Sequence, residues 1–201
     1  MNEKQFVGEW LNFEYFIDSE DENMKKTWQE VEEHVQQGNI PMFKHGARNF
    51  WRQVCDTSRR YPGLNMKVCK IHVDDSAIYF EFINNQGQSL GLYAYEVDSI
   101  VEKGLEGKNN YLFVSKEAKD DYPFKYILAM DPLPEKKAAF NGGILRHIHF
   151  QFATTKDELI DDTNHLVHPM EYPTLCEADS TDLERYNIVR ALHRLDLKKK
   201  V

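Results

Sequence analysis

Between positions 64 and 152 the chain runs as a succession of short, alternating apolar and polar segments, each closed by a turn signal. Residues 64–73 lead into Asp74-Asp75-Ser76, and 77–83 follow, which reads as a β-hairpin. Asn84-Asn85-Gln86-Gly87 makes the next turn, and 89–97 the next strand, where Leu90, Leu92, Tyr93 and Tyr95 give a period of two. A polar turn over 104–110 precedes a strand at 111–115. A charged turn over 116–122 precedes another at 124–130, which Asp131-Pro132-Leu133-Pro134 breaks. A loop ending at Asn141-Gly142-Gly143 leads into the last strand, Arg146-His147-Ile148-His149-Phe150-Gln151-Phe152. With a further strand over 6–16, this makes about seven short strands, and aromatic side chains, 12% of the chain, favour the pleated sheet. An antiparallel up-and-down barrel is the economical fold, because closure removes the unpaired edges that a row of such strands would expose.

Helices flank this region. Asp18-Ser19-Glu20-Asp21-Glu22 lacks the spacing and glycine of a calcium loop and reads as an acidic helix start. The helix over 22–37 places Trp28, Val31 and Val35 on one face and stops at Gly38-Asn39. Residues 40–52 form a connector or short helix, and the basic run Arg59-Arg60-Tyr61-Pro62-Gly63 reads as a solvated loop. After Phe152 a short helix is expected over 158–165, ended by Pro169 and Pro173. Thr181-Asp182-Leu183-Glu184 is a capping box opening a C-terminal helix that carries Leu183, Tyr186, Val189, Leu192 and Leu195. The whole is one domain over 1–201, with a barrel over roughly 6–152 and a helical extension over 153–201.

A net charge of −8 argues against binding to nucleic-acid phosphates or an anionic membrane surface. Cys55, Cys69 and Cys176 are widely spaced, form no CxxC, and read as reduced, buried thiols. No basic and apolar leader precedes Phe6, so a cytoplasmic location is expected; a chain trimmed of such a leader would read the same way and be extracytoplasmic.

The candidate chemistry lies on the last strand. His147, His149 and Gln151 fall on one face at i, i+2 and i+4, opposite Ile148, Phe150 and Phe152. Two imidazoles so spaced can chelate one ion, and zinc suits nitrogen ligands. The expected position is the barrel's inner face, with Glu81 as a candidate hydrogen-bonding partner for a ligand histidine. His165 and His168, at i and i+3, form a second pair in what reads as a surface turn. His34 and His45 read as surface residues, and His72 carries no role.

An ordered set of stretches resembles the ZinT/YodA family of zinc- and cadmium-binding proteins, which have a lipocalin-like, calycin-type barrel. The set comprises Gly8-Glu9-Trp10, Phe50-Trp51, residues 67–82, Asn110-Tyr111-Leu112-Phe113, Lys125-Tyr126-Ile127, His147-Ile148-His149-Phe150 and Met170-Glu171-Tyr172-Pro173. The resemblance implies a mainly β, antiparallel barrel with a helix after the first strand and helices after the last. It implies a divalent metal, zinc or another such as cadmium, at His147 and His149. Asp131 stands where the family carries a third histidine, and a carboxylate can take that place. This chain lacks the leader and histidine-rich segment of the family's secreted members, and its loop over 132–146 is longer.

Three functions follow for such a chain. The first is metal binding without catalysis, for buffering or homeostasis, with the metal as partner and no nucleic acid or membrane. The second is a barrel that holds a small apolar ligand. The third is a hydrolase using zinc-bound water. No His-Glu-X-X-His, Gly-X-Ser-X-Gly or nucleotide-binding glycine loop is present.

Overall fold

The computed structural model describes residues 2–134, 144–169 and 173–198. The chain forms a closed antiparallel barrel of eight strands in sequential order. They are β1 (Gly8–Asn12), β2 (Met66–Val73), β3 (Ile78–Asn84), β4 (Ser89–Val101), β5 (Asn110–Val114), β6 (Tyr126–Met130), β7 (His147–Ala153) and β8 (Thr174–Glu177). The helices are α1 (Glu14–Ile17), α2 (Glu22–Gln37), α3 (Ala47–Cys55), α4 (Thr57–Arg60) and α5 (Asp182–Leu192). The expected lipocalin-like architecture is present, with helices after the first strand and after the last.

The eighth strand is the main difference. β8 closes the ring, pairing with β1 through Leu11 and Cys176 and with β7 through His147 and Cys176. The barrel therefore runs to Glu177 rather than to Phe152, and the stretch after 153 is not purely helical. The helix expected over 158–165 is only a turn at Lys156–Glu158 followed by a bridge between Ile160 and Leu166. The strand expected over 6–16 ends at Asn12, where the side chain binds the carbonyls of Cys55 and Met66 at 3.1 Å each and the chain turns into α1.

Strand β4 serves both halves of the barrel. It pairs with β3 up to Tyr95 and with β5 from Glu96 on, with register shifts that let it bend. At Gly91, φ is +144°, and a Cβ would sit 2.6 Å from Tyr93 and 2.9 Å from the Tyr122 hydroxyl, so only glycine fits.

The alternation of each strand separates the barrel interior from clusters on its outer side. Trp10, Ile71, Phe80, Phe82, Phe113, Phe124, Ile148, Phe150 and Leu175 fill the barrel. Phe82 and Phe124 stack at 3.8 Å, and Phe6 meets Phe113 edge-on at 5.8 Å. The space left between these rings is about 10 Å³, room for one water at most. The second core lies between the outer wall and the helices. It joins Trp28, Val31 and Val35 of α2 to Trp51 and Cys55 of α3, Leu145, Cys176 of β8, and Ile188 and Val189 of α5. The capping box at Thr181 and Glu184 forms as expected, and the Tyr186 hydroxyl reaches Asp21, the N-cap of α2, at 2.8 Å.

His193, just past α5, is fully enclosed in this second core. Its Nδ1 donates to the Val189 carbonyl at 2.6 Å, and its Nε2 accepts from Trp51 Nε1 at 2.9 Å. Burial among Trp28, Phe43 and Trp51 pushes its pKa down from 6.5 to about 4. The unfolded chain therefore binds a proton here that the folded chain refuses. The contribution is fully present above pH 6.5 and is lost as pH falls toward about 4, a change on the order of 3 kcal/mol. Glu14, raised to about 7 by burial and by Asp56 and Asp18, acts with the opposite sign over 4.5 to 7. The difference between parent and His193→Gln isolates the histidine. Urea unfolding at pH 7.5 and pH 4.5 should show the parent losing more stability on acidification than the variant, and equal losses would refute the assignment.

All three cysteines are free and buried, as expected from their spacing. Burial pushes the Cys55 thiol up to about 12 and those of Cys69 and Cys176 well above the usual range. Iodoacetamide should label none of them in the native protein while labelling all of them in urea; mass spectrometry of the native sample showing any adduct would contradict this.

Candidate functional site

Arg146 and the seven residues of β7 alternate across the barrel wall. Ile148, Phe150 and Phe152 point into the aromatic core, where water exclusion favours them. Arg146 is also buried, bonded to Glu177 at 3.0 Å and to the Gln5 carbonyl at 2.9 Å, with its guanidinium 5.4 Å from the Trp10 ring. His147, His149 and Gln151 consequently face away from the aromatic interior, and are 5%, 1% and 3% exposed. The sequence reading of one shared face is right, but that face is the outer one. The expected position inside the barrel is incorrect, because the phenylalanine and isoleucine face claims the interior.

The two imidazoles sit with ring centroids 5.1 Å apart. His147 Nδ1 lies 3.2 Å from the Leu145 carbonyl. A carbonyl only accepts, so in this contact Nδ1 is the protonated nitrogen. His149 Nδ1 lies 2.8 Å from the Thr174 hydroxyl on β8, its register partner. The Cys55 thiol of α3 lies against the same Thr174. Further along, Gln151 donates from Nε2 to the His168 carbonyl.

Asp131 is engaged from the core side. One of its carboxylate oxygens accepts from the Tyr111 hydroxyl at 3.1 Å, and Tyr111 belongs to the barrel core. Among the described residues, no group of three or more His, Cys, Asp or Glu side chains is placed to hold a metal ion. Glu81 stands on β3 in register with Lys70, four strands from β7, so it cannot support either histidine. Leu145 and Thr174 take the orienting role instead. The sequence carried no signal for Thr174, because the strand that holds it is short and follows Pro173.

The remaining histidines are separate. His165 bonds to Thr163 Oγ1 at 2.8 Å within its own turn, while His168 lies beside Gln151. His72 stacks on Tyr79 at 4.6 Å on an exposed wall, and His34 and His45 are exposed. The loop over 135–143, with its Asn141-Gly142-Gly143 turn, and Met170-Glu171-Tyr172 lie outside the described residues, as do Lys199 and Lys200.

Fold and site together define a closed, antiparallel eight-stranded barrel with a filled interior and a buried histidine pair on its outer wall. Comparison of the chain with protein-family models, with curated proteins and with solved structures finds no match. No helix among the described residues is long and apolar enough to cross a membrane.

Proposed function

We propose that the protein binds a divalent metal ion, zinc by preference, through His147 and His149, and serves in metal buffering. The observation that carries this reading is the orientation of the pair. Ligand histidines characteristically donate their second nitrogen to a carbonyl or similar acceptor, which fixes the tautomer and aims the other nitrogen at the metal. The Leu145 carbonyl does this for His147, and the Thr174 hydroxyl, which can accept as well as donate, holds Nδ1 of His149. Two rings about 5 Å apart on one rigid strand need little reorganisation to share an ion. Zinc fits this donor set because borderline-soft divalent ions favour imidazole nitrogen, and cadmium is a second candidate. On this reading the ion belongs to the outer wall beneath the helices, not to the barrel interior.

The reading in which the barrel holds an apolar ligand loses support from the packing. About 10 Å³ among Phe6, Phe80, Phe82 and Phe150 leaves no room for such a molecule.

Calorimetric titration of zinc into protein freed of metal tests the proposal. One ion per chain is expected, with affinity falling on acidification, since protons compete for the same ring nitrogens. No saturable uptake at neutral pH would reject it.

A further inference from the structure

On the outer side of the barrel, next to Gln151, the structure holds a cavity of about 220 Å³ between α3, α4 and β7. We infer that this cavity is a binding site for a small organic carboxylate. The inference goes beyond the metal reading and does not depend on it.

Two consecutive arginines supply the recognition. Arg59 and Arg60 both line the cavity, although their sequence run reads as a solvated loop. Arg60 Nη2 pairs with Glu158 at 2.9 Å, and that pair is partly open to solvent. Arg59 reaches only the Gln53 carbonyl, at 3.3 Å, and among the described residues no carboxylate pairs with it. A guanidinium has five donors in a planar fork that matches a carboxylate, so Arg59 has most of its capacity to offer. Among the described residues of the wall the one acid, Asp56, is turned back onto α4, accepting from the Ser58 amide at 2.8 Å and the Ser58 hydroxyl at 2.6 Å. In a chain of net charge −8, such a pair of cations in one concavity marks an anion site.

The remaining walls decide the class of anion. Val54 and Pro173 add apolar surface to the lining. That surface suits a carbon skeleton, while Gln53, also in the lining, can meet a further oxygen of a polyfunctional acid. Pockets for drug-sized ligands span roughly 300–1,000 Å³. This one is smaller, which limits the occupant to a small acid.

The test uses the full chain, freed of metal, at low ionic strength, titrated with succinate, citrate and inorganic phosphate and followed by amide and side-chain NMR. Succinate or citrate should bind saturably in the millimolar range or tighter and shift the resonances of Arg59, Arg60 and the Gln151 side chain. Arg59→Ala, an exposed position that should not disturb folding, is expected to weaken binding at least ten-fold. Glu158→Gln frees Arg60 from its competing carboxylate and is expected to tighten binding several-fold, which a nonspecific surface effect would not do. Lys156→Ala, on the salt bridge to Asp98, should leave binding unchanged. The proposal is overturned by absence of saturable carboxylate binding, by binding that survives Arg59→Ala intact, or by phosphate binding as tightly as the carboxylates.

Discussion

Replacing either His147 or His149 by alanine is expected to lower zinc affinity by more than two orders of magnitude. Loss of a group that only orients a ligand typically costs 10–100-fold, and loss of a ligand itself costs more. The two variants should behave alike, because each leaves a single imidazole that cannot chelate. Thr174→Val removes the hydroxyl beside His149 Nδ1 while keeping the branched shape. It should therefore fall in the intermediate range, about ten-fold or more. Asp131→Ala separates this account from the one suggested by family resemblance. Asp131 bonds to Tyr111 on the core side, so its loss should leave zinc affinity unchanged. His34→Ala and His45→Ala, at exposed positions, serve as the background. Calorimetric titration of the set checks the ranking, and parent-like affinity in both His147→Ala and His149→Ala would remove the site from β7.

The largest effect on stability is expected from Trp10→Ala. Trp10 is fully buried at the start of the barrel, donates from Nε1 to the Phe6 carbonyl at 2.8 Å, and lies under the Arg146 guanidinium. Truncating a buried tryptophan costs about 3–5 kcal/mol in lost burial and cavity formation. For a chain of this length, each kcal/mol lowers Tm by about 2–4 °C, so a fall of about 6–20 °C should appear in thermal unfolding. Trp10→Phe keeps an aromatic ring but orphans the Phe6 carbonyl, and should lie well short of the alanine variant. A Trp10→Ala protein melting within a few degrees of the parent would show that the barrel does not depend on this plug.

The strands from Met66 to Ala153 were legible because their turns are chemically explicit. Asp74 accepts from the Ser76 and Ala77 amides, and Asn84 from those of Gln86 and Gln88, so each hairpin is written in residues that bind their own backbone. The Trp28, Val31 and Val35 stripe was legible for a similar reason, since helical spacing and burial coincide. β8 was not legible. Its four residues are too few to show a period, and the preceding Pro173 argues locally for a loop. What makes Thr174–Glu177 a strand is the pair of open edges on β1 and β7, a demand of barrel closure that no local window contains.

The site was legible as a pair but not as a place. Alternation put His147 and His149 together correctly, yet alternation alone does not say which face turns inward. The deciding contest, Ile148 and Phe150 against two imidazoles for the dry interior, is settled by apolar burial. The core on the barrel's outer side depends on contacts between segments more than a hundred residues apart, such as Trp51 with His193, which no local window contains. The engagement of Asp131 by the Tyr111 hydroxyl on the core side likewise had no local signal.

The central claim is that one metal ion bridges the two histidines on the outer wall of β7. Anomalous diffraction from zinc-loaded crystals, collected on both sides of the zinc absorption edge, tests it most directly. The account predicts one peak about 2.0–2.1 Å from Nε2 of both His147 and His149, on the side of the sheet facing the helices. A peak inside the barrel beside Asp131 and Tyr111, or zinc bound only at exposed histidines such as His34 and His45, would contradict it.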